Sequence, residues 1–287
     1  MLRFNGTSWA QEWRGSSLGL RAVWGSGSDV WAAGELGSIR RWDGTSWTEF
    51  WPVPAATFRA IWGSSANDVW AVGVSGAALR WNGTRWAGAS GGVDLNGIWG
   101  SSATDVWAVG DYSTLKHWNG SQWATVEMDY KEPSLRAVWG SSANDVWAVG
   151  NQGTIRHWSG TSWLKVPSGT TVGLAGVWGS APTDVWVVGA TGTILRWNGL
   201  CWGAVPSGTT ADLLGVSGRS ANEVWAAGVG GTLLRWNGAG WSNVSSGTNT
   251  PLYGVWAGSS TGVWVVGGFG SVLRRKYRRP VRPEIGQ

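Results

Sequence analysis

The chain is built on one phrase that returns at a nearly fixed interval. The tripeptide Asp-Val-Trp or its equivalent places a tryptophan at Trp31, Trp70, Trp107, Trp147, Trp186, Trp225 and Trp264, with spacings of 39, 37, 40, 39, 39 and 39 residues. A period of this length indicates a repeat architecture, in which one small unit buries its apolar surface only against its neighbours. We therefore expect seven copies of one unit in the 287 residues, rather than unrelated domains.

One repeat shows what the unit is. Residues 135–140 (LRAVWG) predict strand A, and residues 145–150 (DVWAVG) predict strand B, which is apolar on both faces as a covered strand is. Two variable residues between Gly150 and Gly153 predict a tight hairpin into strand C at residues 155–158. A second turn then leads into strand D at Trp163.

Four short antiparallel strands in a repeat of this length are typical of a propeller blade. We predict an all-β fold, a seven-bladed β-propeller, as a single domain over residues 1–275. The predicted repeats lie near residues 19–51, 57–88, 94–126, 134–167, 173–206, 212–245 and 251–275, the last completed by residues 1–13. The last repeat stops after its strand C, so we expect the N-terminal strand to close the ring and remove the exposed sheet edges.

Tryptophan is the most unusual component, with 28 copies. Of these, 26 fall at fixed positions of the four strands, which predicts packing between blades rather than binding. Trp13 and Trp51 are the exceptions, because each follows a strand-D tryptophan by four residues and is predicted to lie in a connecting segment. They are the candidates for exposed stacking.

A second pattern places an acid before strand B and a basic or imidazole side chain twelve residues later, beside the strand-C tryptophan. The predicted pairs are Asp29 with Arg41, Asp68 with Arg80, Asp105 with His117, Asp145 with His157, Asp184 with Arg196, and Glu223 with Arg235. Arginine cannot ligate a metal, and it replaces histidine in sister repeats. The pairs are therefore interpreted as structural, and we predict neither catalytic residues nor a metal or other cofactor.

Basic side chains are concentrated near the C-terminal end of the sequence. Six of the 22 basic residues lie within 274–282 and one of the 17 acids is Glu284, so the rest of the chain carries equal numbers of each. Residues 276–287 are interpreted as a basic, proline-containing tail, and no nucleic acid is expected on the ring. The sequence has no apolar stretch long enough to span a membrane and opens without a secretory leader, and it leaves the compartment and the oligomeric state undetermined.

The repeats differ mainly at the B–C hairpin tips and the connections from strand D to the next strand A, which should share one face of the ring. We call this the variable face and expect the binding site there. The residue after the first residue of strand A borders the predicted channel mouth and reads Arg21, Arg59, Asn96, Arg136, Ala175, Leu214 and Tyr253. Further candidates in blades 1 to 4 are Asp94, Asp111, Tyr112, Asp129 and Tyr130, with Trp13 and Trp51 nearby.

The phrase VWAVG-xx-GTI-x-HW-x-G-TSW-xx-VPSG in residues 146–169 resembles the repeat of tectonin-type lectins, whose blades carry VWAV, a glycine turn and a G-x-x-W ending. The resemblance covers nearly every repeat and implies a propeller that binds glycans through aromatic and polar loop residues. Tectonin-type propellers usually have six blades, whereas this sequence predicts seven. The turn W-N-G-T-S-W also resembles the Asp-box of sialidases, one residue shorter and usually with Asn in place of the acid.

From the residues and the resemblance we predict a non-enzymatic binding module with carbohydrate as its partner. The alternative is a protein-interaction scaffold, which would carry one asymmetric patch over blades 1 to 4. A third possibility is a sialidase-like glycosidase that grips an acidic sugar with Arg21, Arg59 and Arg136 and draws its carboxylates from Asp94, Asp111 or Glu127.

Overall fold

The computed structural model describes residues 9–13, 17–52, 56–89, 92–126, 132–258 and 262–275, with the backbone alone for residues 10–13 and 89. These residues form a seven-bladed β-propeller in which each blade is a sheet of four antiparallel strands. The innermost strands of neighbouring blades contact one another around the whole ring, including β26 against β2. The predicted fold class is confirmed.

Blades 1 to 4 follow the chain in strand order A, B, C, D. Their strands are β2 (Leu20–Ser26), β3 (Asp29–Gly34), β4 (Ile39–Trp42) and β5 (Trp47–Phe50); β6 (Phe58–Ser65), β7 (Asp68–Gly73), β8 (Ala78–Trp81) and β9 (Trp86–Ala89); β10 (Leu95–Ser102), β11 (Asp105–Gly110), β12 (Leu115–Trp118) and β13 (Trp123–Thr125); and β14 (Leu135–Ser142), β15 (Asp145–Gly150), β16 (Ile155–Trp158) and β17 (Trp163–Lys165).

Blades 5 to 7 repeat this order, with one exchange at the end. Their strands are β18 (Leu174–Ala181), β19 (Asp184–Gly189), β20 (Ile194–Trp197) and β21 (Trp202–Ala204); β22 (Leu213–Ser220), β23 (Glu223–Gly228), β24 (Leu233–Trp236) and β25 (Trp241–Asn243); and β26 (Leu252–Gly258), β27 (Gly262–Gly267), β28 (Val272–Arg275) and β1 (Ala10–Trp13). A single 3₁₀ turn forms the hairpin tip at Glu35–Gly37, Val74–Gly76, Asn151–Gly153, Ala190–Gly192, Val229–Gly231 and Gly268–Gly270.

The N-terminal strand closes the ring. β1 pairs with β28 in an antiparallel register that sets Ala10 opposite Arg274 and Trp13 opposite Val272. Residues 272–275 are therefore strand C of the last blade and residues 10–13 are its strand D.

The core consists of apolar clusters between blades, and tryptophan dominates each of them. Every strand-B tryptophan is at least 96% buried and contacts rings from the outer strands of the next blade. Trp147, for example, lies with its ring centroid 5.1 Å from that of Trp197 and 5.3 Å from that of Trp202. At the last interface Trp264 contacts Trp42 and Trp47 in the same way, so the packing also closes the ring. Burial of these large rings stabilises each interface between blades.

Candidate functional site

The variable face is assembled by one backbone hydrogen bond that recurs in every blade. The first residue of each hairpin tip donates its N–H to the residue before strand A, as Glu35 does to the Gly19 carbonyl at 2.9 Å and Asn151 to the Ser134 carbonyl at 3.0 Å. This bond fastens the tips to the D-to-A connections. Both variable segments therefore lie on one face, as the repeat comparison predicted.

The mouth residues surround the central channel, where the structure has a cavity of about 210 Å³. Six of them line it: Arg21, Arg59, Asn96, Arg136, Ala175 and Leu214. The guanidinium of Arg21 lies 5.0 Å from the ring centroid of the seventh, Tyr253, within cation–π range. The mouth thus has a polar half from blades 1 to 4 and a less polar half from blades 5 to 7.

Asn96 joins three blades of the polar half. Its Oδ1 accepts a hydrogen bond from Arg59 at 2.6 Å, and its Nδ2 donates to Asp111 at 2.9 Å and to the Leu135 carbonyl at 2.8 Å. Arg59 also forms an ion pair with Asp94 at 2.9 Å. The side chain of Asn96 is buried, so its hydrogen bonds hold this part of the mouth in one arrangement.

The other two arginines are also paired with carboxylates. Arg21 contacts Glu35 at 3.0 Å, and Arg136 lies 3.7 Å from Asp111 while donating to Asn151 Oδ1 at 3.0 Å. Glu35 and Asn151 were missed by the sequence reasoning. Each is the first residue of a hairpin tip, the same position as Asp111, so reading that position around all blades would have found them.

The pairing of the three mouth arginines bears on the chemistry of the face. Arg21, Arg59 and Arg136 each have a carboxylate partner, so the cluster presents no excess positive charge. A clamp for an acidic sugar needs arginines that are available to the ligand. This arrangement therefore argues against the sialidase-like interpretation.

Large apolar side chains stand exposed at three hairpin tips. Leu36 is 64% exposed, Tyr112 is 70% exposed and Phe269 is 75% exposed. Each occupies the second tip position, where the backbone φ is 52° or 53°. The sequence reasoning singled out Tyr112 alone, although Leu36 and Phe269 stand where other blades have Ser, Gln, Thr or Gly.

The remaining candidates are only partly described. Trp51 follows β5 and is 53% exposed, as expected of a stacking residue. The placement of Trp13 in a connecting segment is wrong, because Trp13 ends strand β1 and pairs with Val272. Asp129 and Tyr130 lie outside the described residues, as does Glu127.

The six acid–base pairs are all brought together at the opposite face. The shortest atom separations are 2.7 Å for Asp29 with Arg41, 2.5 Å for Asp68 with Arg80, 2.5 Å for Asp105 with His117, 2.5 Å for Asp145 with His157, 2.7 Å for Asp184 with Arg196, and 4.0 Å for Glu223 with Arg235. Glu223 is bound more closely by Arg219, at 2.5 Å. Each basic or imidazole group also lies over the strand-B tryptophan of its blade, His157 with its ring centroid 4.1 Å from that of Trp147.

In blade 4 a serine joins the pair but does not make a catalytic triad. Ser141 and His157 both donate to the carboxylate of Asp145, so the acid stands between them and the hydroxyl has no contact with the imidazole. Burial raises the pKa of Asp145, but the hydrogen bonds from His157 and Ser141 outweigh it, and the net pKa lies below the usual value. A nucleophile needs its base within hydrogen-bond reach, which this order does not provide.

Within the described ranges, no three His, Cys, Asp or Glu side chains lie close enough together to hold a metal ion. Nor do these ranges include a helix with the length and apolar character that crossing a bilayer requires.

The fold is shared with known propellers. No protein-family profile and no curated protein matches the sequence significantly. YCF48 from Cyanidioschyzon merolae is 17% identical, with a TM-score of 0.76 over 94% of this chain and 99% of its own. YCF48 bound to D1 peptide is 18% identical, with a TM-score of 0.77 over 96% and 99% of the two chains. The WD40 repeats of RRP9 are 14% identical, with a TM-score of 0.76 over 92% and 96%. At these identities the likeness shows the propeller fold.

Proposed function

We propose that this propeller is a protein-binding module that takes a peptide segment of its partner on the variable face. The observation that carries the proposal is the exposure of Leu36, Tyr112 and Phe269 at equivalent tip positions. Under this proposal the module acts by binding and performs no catalysis.

Neither the backbone conformation nor burial in the core explains why large apolar side chains occupy these three positions. A φ near +52° is the left-handed region, which glycine and asparagine adopt readily and a bulky side chain adopts only at a cost. Burial does not offset that cost, since the side chains project into solvent. Contact with a partner gives such residues a role, because aromatic and large apolar side chains are frequent anchors at interfaces.

The mouth adds polar recognition beside these anchors. Leu36 and Phe269 come from adjacent blades, and Arg21 with its partners Glu35 and Tyr253 belongs to the same two blades. The ion pairs of blades 1 to 4 continue the polar surface around the channel. Because the charges balance, the face suits a peptide that combines apolar side chains with hydrogen-bonding groups rather than a purely acidic one.

The comparisons support the same conclusion. One structure with this fold is described as YCF48 bound to D1 peptide, which is a propeller of the same size with a peptide ligand. Carbohydrate recognition, favoured by the sequence resemblance, gains no support from them. It rests on the exposed ring of Trp51, and we retain it as the alternative.

The test is a selection of random dodecapeptides against the purified chain, with a glycan array run in parallel. We expect enriched peptides that carry apolar residues, and affinity reduced at least about tenfold by Leu36→Ser with Phe269→Ser. The matched control is Leu200→Ser, because Leu200 is 87% exposed but lies in the turn between β20 and β21, on the opposite face. Glycan binding that Trp51→Ala abolishes, without peptide enrichment, would overturn the proposal in favour of the lectin alternative.

A further inference from the structure

A cavity of about 510 Å³ lies between the outer strands of blades 2 and 3. Most of its lining residues come from strand B of blade 2 and from strands C and D of the two blades, so it is separate from the mouth, which strand A surrounds. Trp70, Trp118 and Trp123 form one side, and their ring centroids lie 5.2–5.8 Å apart. The volume falls within the range of pockets that hold small molecules.

The cavity exists because blade 2 carries small residues where the other blades carry large ones. Ala78 stands where the other blades have Ile, Leu or Val, and Ala89 stands where blade 1 has Phe50 and blades 3 to 6 have Val. The register sets Ala78 opposite Ala89 and Leu79 opposite Gly88. Ala78 lines the cavity, so an apolar side chain that is larger in the other blades is reduced there to a methyl group.

The adjacent interface shows what fits this space. Between blades 1 and 2 the phenyl ring of Phe50 stacks on Trp31 with centroids 5.7 Å apart and planes at 28°, and lies 5.2 Å from Trp81. Trp70 and Trp118 are the counterparts of Trp31 and Trp81 at the cavity. A single aromatic ring can therefore contact the same two tryptophans there that Phe50 contacts one blade earlier. The guanidinium of Arg80 lies beside this position, 5.3 Å from the ring centroid of Trp70 and 5.8 Å from that of Trp118.

Lys116 adds a cation to the cavity, whereas its counterpart at the Phe50 site is Leu79. The counterparts of Lys116 in two other blades are ion-paired, Arg40 with Glu49 at 3.1 Å and Arg156 with Glu132 at 3.3 Å. Lys116 has no carboxylate within ion-pair distance among the described residues, and Arg80, the other cation of the lining, is paired with Asp68 at 2.5 Å.

Trp123 adds a hydrogen-bond donor at the same place. Trp123 lines the cavity together with Lys116, and its indole ring carries one N–H donor. The aromatic slot fits the ring of a small ligand. The ammonium group of Lys116 and the indole N–H of Trp123 fit a carboxylate on the same molecule.

We propose that this cavity binds a small aromatic carboxylate. The ring lies between Trp70 and Trp118 as the ring of Phe50 lies between Trp31 and Trp81, and the carboxylate accepts hydrogen bonds from Lys116 and Trp123. The ligand is a free small molecule rather than part of the peptide proposed for the variable face, so either proposal stands without the other.

The experiment titrates the full chain with 3-phenylpropanoate and follows binding by calorimetry. We expect one saturable site with a dissociation constant below about 1 mM. Lys116→Gln should weaken the acid roughly tenfold and leave 3-phenylpropanamide unchanged, because only the acid uses the charge. Lys165→Gln is the matched control, since Lys165 lies on the outer strand of blade 4 and does not line the cavity.

Ala89→Phe tests the aromatic slot directly. It places the Phe50 side chain in the equivalent position of blade 2, so it should abolish binding and raise the melting temperature by filling the cavity. A folded Ala89→Phe protein that binds the acid normally would overturn the proposal. So would the absence of saturable binding at about 5 mM ligand, or equal affinity of the wild-type chain for the acid and the amide.

Discussion

Ala257 packs against Ser217 at the interface of blades 6 and 7, and its N–H donates to the serine Oγ at 3.2 Å. At the six other interfaces a glycine stands in the place of Ala257 and a tryptophan in the place of Ser217. A Cβ on any of those glycines would lie 2.4–2.8 Å from the tryptophan ring of the preceding blade, too close for a real contact. The interface at which alanine replaces glycine is thus also the interface at which serine replaces the facing tryptophan.

This complementarity predicts that Gly140→Ala destabilises the ring. The added Cβ would lie 2.6 Å from Cη2 of Trp99, and both groups are held by their strands. We expect a loss of about 1–3 kcal/mol in the free energy of unfolding, the usual cost of overpacking a core. Urea unfolding followed by tryptophan fluorescence measures it.

A second substitution distinguishes this steric explanation from a loss of glycine flexibility. Gly140→Ala combined with Trp99→Ser recreates the arrangement of Ala257 and Ser217, so the double variant should be less destabilised than the sum of the two single variants. Simple additivity would show that the two positions do not interact.

The contacts of Arg196 predict how much an acid–base pair contributes to the free energy of unfolding. Arg196 pairs with Asp184 at 2.7 Å and lies over the rings of Trp186 and Trp236. Arg196→Ala leaves a buried carboxylate without this partner and should cost about 1–2 kcal/mol, a figure reduced because the arginine is partly exposed. Thermal and urea unfolding provide the measurement.

Arg196→His is the matched control, since His117 and His157 hold this position in blades 3 and 4. It should retain most of the stability that Arg196→Ala loses. Equal losses in both variants would mean that the hydrogen bond to Asp184 is not what stabilises the blade.

The hydrogen bonds of Asp43 predict that the stability of one turn depends on pH. Oδ1 of Asp43 accepts hydrogen bonds from the N–H groups of Ser46 and Thr45, each at 2.8 Å, and from the Thr45 hydroxyl. These bonds, that from Ser46 foremost, hold the pKa of Asp43 well below its ordinary value. The folded-state pKa is thus below the unfolded one, so the stabilisation is complete above about pH 5 and is lost as the pH falls through about 3.9 and below.

Asn replaces the acid in four other blades, which provides the comparison. Asp43→Asn keeps the acceptor but cannot titrate, so wild type should lose more stability than this variant between pH 7 and pH 3. Asp43→Ala, which removes the acceptor, should have a lower melting temperature than both at pH 7. Parallel losses in wild type and Asp43→Asn would contradict the assigned role.

The hydrogen bonds of Asn96 predict that the order of the channel mouth depends on this one buried amide. Asn96→Leu removes the bonds to Arg59, Asp111 and the Leu135 carbonyl while approximately conserving volume. We expect a loss of about 1–3 kcal/mol, because polar partners are left without a bond. Hydrogen exchange at blades 2 to 4 should rise in the same variant, and unchanged exchange would show that the network does not order this face.

The sequence determined the blade plan by itself. Repetition at a fixed spacing averages out the ambiguity of any single strand, so the bounds of β15 and β16 agree with those predicted for residues 145–150 and 155–158. The tertiary structure decided the rest. The exposure of Leu36 and Phe269, the pairing of Arg21 with Glu35 and the cavity beside Ala78 depend on how neighbouring blades meet in space. A repeat pattern encodes what the blades share, whereas each of these features arises from a residue that departs from it.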